Sequence, residues 1–488
     1  MDAAAIALNR FGLGARPDDG IPDDPHRWLR RQFETFEPRP QALAGIPDRN
    51  TLVSQLADYL QQAKMDRQAK AAAPPAAETP AAMAAAPASM QDQTAGQPQS
   101  ARQLLRKGIR EDYVKMNGAR LDAALSTPAP FIERLVHFWS NHFAVSADKV
   151  QVLGLAGSLE FEAIRPHVLG RFSDMLLAVE QHPAMLLYLD QVQSVGPDSR
   201  AATLAAARGK KRGLNENLGR EIMELHTVGV HGGYDQADVT EFARALTGWT
   251  VAGLARGPAA RKIGASAAPG DFAFAEALHE PGTRTIMGRA YAQDGEAQGR
   301  AVLADLAASP ATANHLATKL ARHFAGDDPP PAMIARLQKA YLTSGGMLPA
   351  VYDAIIASPE AWAAAPTKFK TPWEWTVSSL RAVSAKDMPA QQAAGALSEL
   401  GQPTWRPGSP AGWDDIAASW AGPDALVRRV EFAQRIGNQS GAAIDSRALA
   451  EKVLPGSLGD ATRTAVSRAE SPQQGLALLL VSSEFLRR

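Results

Sequence analysis

Apolar residues recur at three- and four-residue spacing in one segment after another of this chain, and prolines stand where several of those segments begin. This repeat constrains the fold more than any other feature, because it gives each helix an apolar stripe that another helix must cover. Residues 51–65 (TLVSQLADYLQQAKM) and 104–125 (LLRKGIREDYVKMNGARLDAAL) carry it, the Arg-rich face of the second being expected in solvent. Pro128 and Pro130 lead into FIERLVHFWSNHF, proline near a first turn being a start signal. Residues 161–179 form a further amphipathic run, His182-Pro183 opens AMLLYLD, and helices are expected over 299–308, 311–324, 331–344, 348–358, 372–383, 425–436 and 473–483. Strand signals are scarce. They are clearest in 271–291, where alternating DFAFA, the turn residues EPGT and then TIMG predict a hairpin. The expected fold is all-α, a multi-helix globular array with one small β-hairpin.

The chain has 488 residues, more than the roughly 250–300 at which single cores stop growing, so a sizeable core is expected. From 63 to 100 it is dominated by Ala, Pro, Gln and Ser, with almost nothing large and apolar to repay the entropy of ordering. We therefore expect N-terminal helices over 1–62, a Pro/Ala-rich disordered insertion over 63–100, a helical core carrying the site over 101–365, and a C-terminal helical region packed on it over 366–488. Lys plus Arg and Asp plus Glu number 51 each, so no net field draws the chain to nucleic acid. The absence of cysteine removes disulfides, thiolate ligands and cysteine nucleophiles, and any metal must use His, Asp or Glu. No window approaches about 18 uninterrupted apolar residues, so no transmembrane segment is expected. Residues 1–19 carry no basic region followed by a long apolar run, so the chain as written reads as cytoplasmic, or as periplasmic if a leader has been removed.

Ionisable residues concentrate in 215–250, NENLGREIMELHTVGVHGGYDQADVTEFARALTGWT. On a helix, Asn217, Glu221 and Glu224 share a stripe with Arg220 beside them; on the next, Asp238, Glu241 and Arg244 are spaced three apart. Helical carboxylates with a histidine are how bundle metal sites are built, although the usual Glu-x-x-His is here Glu221-x-x-Glu224-x-His226. Pairing with Arg220 or Arg244 and helix capping account for each acid singly, and the two readings stand level. The turn GVHGGYDQADV has the outline of a calcium loop around Gly232, but Thr227, Gly229 and His231 fall at ligand positions, so tight-turn glycines are the better account. In HFWSNHF, Glu133, His137 and Asn141 share a stripe while His142 is turned away, and Phe138, Trp139 and Phe143 read first as core. The candidate metal set is His142, Glu221, Glu224 and Glu241 around a divalent ion. Glu221, Glu224, His226, Arg220 and Arg244 are the candidate catalytic residues, and His137, Asn141, Trp139, Asp238, Trp249 and His279 the remaining pocket residues. Lys319, Arg322 and His323 form a basic helix end, read first as a dipole partner and second as an anion site. Trp405 and Trp413, among prolines, read as staples. No phosphate loop, G-x-S-x-G elbow or H-E-x-x-H helix occurs.

Several stretches together resemble a large bacterial family, domain-of-unknown-function family 1800: RFGLGARP, ERLVHFWSNHFAVSADK, HPAMLLYLD, NENLGREIMELHTVGV, DVTEFARALTGW, HEPG, KLARHFAGDDPPP and GQPTWRPGSPAGW. The resemblance runs nearly end to end and brings no established reaction and no catalytic residues. It implies that similar proteins are often exported and often encoded beside a second family whose members look like sulfatases or alkaline phosphatases, making a sulfatase-like protein the implied companion. Two functions follow as expectations. One is a helical enzyme with a Glu/His/Arg pocket, with or without a divalent metal, acting on an anionic or polymeric substrate. The other is a non-catalytic helical scaffold that binds the companion protein or an envelope polymer.

Overall fold

The computed structural model describes residues 2–72, 100–254, 267–366, 368–440 and 444–488. Helices dominate it as the apolar repeat requires, with two short antiparallel strand pairs and irregular connections between them among the described residues. Four helices position the site, α1 (Ala101–Ser126), α2 (Pro130–His142), α4 (Pro310–Ala325) and α5 (Pro372–Ala382), while α3 (Gln236–Leu246) carries the second half of the 215–250 stretch. Prolines at the first turn of α2, α4 and α5 cost no hydrogen bond there and preset the helical φ. Among the described residues no helix is long and apolar enough to cross a membrane.

The helix expected over 51–65 runs from Arg49 to Ala72 and packs along α1. It therefore takes in residues 63–72, the first ten of the expected insertion, with Ala63 buried; residues 73–99 lie outside the described residues. α1 starts at a capping box between Ser100 and Gln103. The single helix expected over 161–179 is broken. A π-turn covers Leu159–Ile164, a 3-10 turn follows at Arg165–His167, and a new helix runs Phe172–Glu180. Pro166 and Gly170, neither of which supports a helix interior, stand at the break.

The hairpin falls within the expected segment but is shorter than DFAFA to TIMG. Strands β3 (Arg284–Ile286) and β4 (Arg289–Tyr291) pair across a two-residue turn, Met287-Gly288, with φ of 47° and 75°. Positive φ at both turn residues matches the right-handed twist of a hairpin. DFAFA instead supplies β2 (Phe272–Phe274), which pairs antiparallel with β1 (Trp249–Val251). A 3-10 turn at Glu276–Leu278 ends that strand before it can reach β3.

Two apolar clusters form the core. α2 runs through the larger one, where Phe131, Trp139 and Phe143 meet Phe11, Phe172, Phe324 and Tyr352. Trp375, Phe432, Leu476 and Leu480 centre the smaller one. α5 is buried along its whole length, with Trp375 donating to Leu480 O at 2.9 Å and Arg381 to Gly14 O at 2.8 Å. A helix hidden on every side can carry charge only where the charge is paired, and that requirement shapes the site.

Candidate functional site

His137 and Asn141 are the two residues of α2 that are not fully buried, and both line a cavity of about 250 Å³. Arg120 of α1, Lys319, Arg322 and His323 of α4, and Trp373 and Glu374 of α5 complete its helical walls. The fourth side is an irregular segment over 402–415, too rich in proline and glycine for a regular element. Asn141 fixes it reciprocally, donating to Trp413 O at 2.8 Å and accepting from Trp413 N at 2.7 Å. Tyr113 Oη donates to Thr404 O at 2.7 Å, and Ala147 N to Trp405 O at 2.8 Å. The staple expected of Trp405 and Trp413 is thus also a cavity wall.

Charge at this cavity is unevenly spent. Arg120 donates through Nε to both oxygens of Glu160, at 3.0 and 2.8 Å, and its guanidinium lies 4.1 Å from the Trp373 ring and 5.5 Å from that of Trp405. Its Nη groups have no hydrogen-bond partner among the described residues. Lys319 has neither hydrogen bond nor ion pair among them; burial, with Arg322 as a like charge and Asp415 opposing, pushes its amine down to about 8. Among the described residues Arg322 donates only through Nε, to Asp327 O at 3.2 Å. Glu374, by contrast, is consumed. It closes the capping box of α5 with Thr371 and pairs with Arg134 and with Arg488 Nε, the latter at 2.8 Å. Burial alone would raise its carboxyl, but Arg488 and Arg134 hold it well below the usual carboxylate range.

Three imidazoles line the cavity, each held by a different partner. His323 Nδ1 donates to Asp415 at 2.8 Å, Lys368 pairs with the other Asp415 oxygen at 3.0 Å, and burial takes the imidazole down to about 4. Asp415 stays ionised because His323 and Lys368 outweigh its burial. His137 accepts from Trp373 Nε1 at 3.1 Å through Nδ1, which leaves its proton on Nε2, 3.4 Å from Glu133. His142 Nε2 donates to His226 O at 3.1 Å, so Nδ1 is a bare acceptor, buried without a partner. Burial, then the Lys319 charge, holds His142 well below the ordinary histidine value.

The residues singled out in 215–250 lie elsewhere. Asn217–Glu221 is α-helical, but Ile222–His226 is a π-turn, and the wider turn breaks the stripe expected of Asn217, Glu221 and Glu224. Gly219 lets this segment approach α3 at Ala243. The acids then go to separate partners. Arg220 pairs with Glu216 at 3.0 Å and Glu224 at 3.4 Å; Glu241 pairs with Arg244 at 2.9 Å and Arg284 at 3.3 Å. Asp238 forms a capping box with Asp235 and accepts from Met287 N at 2.6 Å. Glu221 is half-buried and has no side-chain hydrogen bond among the described residues, its carboxyl raised by burial and then by Glu224 against the pull of His226 and Arg220. His226 is buried on Glu180 at 2.8 Å, His279 bonds Thr247 O at 2.9 Å, Trp249 packs on Phe272, and Trp139 donates to Tyr352 at 2.7 Å. His142, Glu221, Glu224 and Glu241 do not converge as the metal set expected, and among the described residues no three His, Asp or Glu side chains are placed to hold a metal ion. Of the residues put forward for the pocket, His137, Asn141 and His142 line the cavity.

Arg120, Glu374, Asp415 and Trp373 are cavity residues that sequence reasoning passed over. A signal existed for Arg120. It falls in step with Tyr113, Met116, Asn117 and Ala124, on the stripe that the apolar repeat buries, and a charge on that stripe needs a partner.

Fold and cavity together define a helical protein with a polar, tryptophan-walled cavity where sequence-distant helices meet. The chain belongs to the family described as protein of unknown function, DUF1800, whose family model matches residues 6–487. No curated protein and no solved structure matches it.

Proposed function

We infer that the protein is an enzyme that holds its substrate by an anionic group in this cavity. The observation supporting this reading is that Arg120, beyond its Nε bond to Glu160, and Lys319 carry donors unspent among the described residues, while Glu374 and Asp415 are already engaged by other groups. An arriving carboxylate, phosphate or sulfate gains charge-assisted hydrogen bonds in a site walled in part by the apolar faces of Trp373 and Trp405. The tryptophans hold the Arg120 guanidinium flat, and its Nε anchor on Glu160 fixes which edge is offered. His142 and His323 are neutral imidazoles with defined tautomers, suited to hydrogen-bonding a bound substrate without adding charge. Four of the stretches that carry the family resemblance supply or hold this cavity: Leu13 lines it from RFGLGARP, whose Gly12 O receives Arg134, and α2, α4 and the 402–413 segment form walls beside those of α1 and α5.

Thermal unfolding of the full chain in rising sulfate, phosphate and citrate tests the inference. Saturable stabilisation by at least one of these anions is expected, with Lys319→Met weakening it by roughly 10- to 100-fold, the worth of one charge-assisted bond. Equal stabilisation of the wild type and of Lys319→Met, or none in the wild type, would sink it.

A further inference from the structure

The cations around the cavity are not equivalent. Arg120, Arg134 and Arg488 each have a carboxylate partner and Lys368 has two, whereas Lys319 lines the cavity and has no hydrogen bond or ion pair among the described residues. Resting on the reading of the cavity as an anion site, we propose that Lys319 is a nucleophile that captures a carbonyl-bearing anion, an aldehyde acid or 2-oxo acid, as an imine while Arg120 holds the anionic end.

The placement supplies what such an amine requires. It belongs to a cavity with room for a small ligand, the carboxylate that favours its ammonium form, Asp415, is already paired with His323 and Lys368, and Arg322 lies three residues further along the same helix. Desolvation and a neighbouring cation are the two physical routes by which a lysine keeps its lone pair. With its value brought down to about 8, roughly a tenth of Lys319 is free base at neutral pH. Lys370 provides the internal contrast. Burial and the nearby arginines bring it down to about 7 against the pull of Glu374, but its amine donates to Ser378 at 3.1 Å, sits 4.2 Å from the Phe485 ring and does not line the cavity. A lowered amine is not enough; it must also be reachable and unengaged.

The step balances without a further reactant. The amine nitrogen bonds to the carbonyl carbon, both amine hydrogens leave with the former carbonyl oxygen as water, and a C=N bond replaces C=O. The carboxylate of the captured molecule keeps its charge and stays with Arg120.

The test treats the full chain with glyoxylate, and separately with propanal, in the presence of cyanoborohydride, and maps the fixed adducts by peptide mass spectrometry. Lys319 is expected to be labelled by glyoxylate at least ten-fold faster than exposed lysines such as Lys115, with Lys370 unlabelled. Arg120→Lys, which keeps a cation beside Glu160, is expected to lower the ratio of glyoxylate to propanal labelling at Lys319 about ten-fold, and an unchanged ratio would overturn the role of Arg120. Wild-type protein that is stabilised by sulfate or phosphate, yet labels Lys319 no faster than Lys115, overturns the nucleophile and leaves the anion site standing. Protein that shows neither anion stabilisation nor Lys319 labelling overturns both. Lys319→Arg is expected to melt like the wild type and to lose the adduct, which separates a missing nucleophile from a misfolded chain.

Discussion

At the scale of single residues, the cavity separates charges that hold the fold from charges that do not. Glu160 is fully buried and receives Arg120 Nε and Trp405 Nε1, the latter at 3.0 Å. Removing Arg120 leaves a buried carboxylate short of its counter-ion, so Arg120→Met is expected to cost about 3–5 kcal/mol in urea unfolding. The double variant with Glu160→Gln should cost clearly less than the sum of the two single changes, because the charge left behind is then gone. Lys319→Met is expected to behave in the opposite way. Its amine makes no bond to lose among the described residues and its desolvation is relieved, so stability should stay within about 1 kcal/mol of wild type or rise. A large loss in Lys319→Met would show a structural partner and count against its availability to a ligand.

At the scale of elements, the 402–415 segment is held to α2 by Asn141, and that contact depends on a glycine. Gly412 has φ of 81°, and a Cβ there would lie 2.7 Å from Asn141 Oδ1, the atom that accepts from Trp413 N. Gly412→Ala is therefore expected to cost roughly 1–3 kcal/mol through backbone strain and displacement. It should also blunt the anion-dependent rise in melting temperature, since Trp405 and Trp413 move with the segment. Unchanged anion stabilisation in that variant would mean the segment is not part of the binding wall. Helix positions were largely legible: proline starts and apolar repeats gave α2, α4 and α5 to within a few residues. The broken run at 161–179 and the π-turn at Ile222–His226 were less so, because a break is decided by how a few residues trade local hydrogen bonds against packing. DFAFA joined β1 rather than TIMG for the same reason; alternation marks a strand but names no partner.

At the scale of the whole molecule, burying neutral histidine makes stability depend on pH. Burial brings His182 down to about 3 and His315 and His323 to about 4. Each is depressed from 6.5, so below that pH the unfolded chain binds protons that the folded chain does not. The stabilisation is complete above about pH 6.5 and is lost as pH falls toward 4, by roughly 3 kcal/mol for a histidine shifted as His323 is. The carboxyl of Glu133, which burial would raise but Arg165 and His137 bring down to about 2, adds a further loss at lower pH, between the ordinary carboxylate value and 2. The urea midpoint is expected to fall steadily from pH 7 to pH 4.5, and a flat profile over that range would show that these rings are not held neutral by the fold.

The amino-acid sequence by itself determined the helical class, most helix positions and the stretches tied to the family, because a helix is written in local hydrogen bonds and a periodic apolar stripe. It also placed ionisable clusters correctly along the chain, at 137–142, 215–250 and 319–323. Only the tertiary structure decided which of them meet. Arg120, His137, Lys319, Trp373 and Asp415 come together from segments far apart in the chain, while Glu221, Glu224 and Glu241, close in sequence, turn to separate partners. The reason is physical: helical spacing fixes the face of a residue on its own helix, but the packing of one helix against another decides what that face meets.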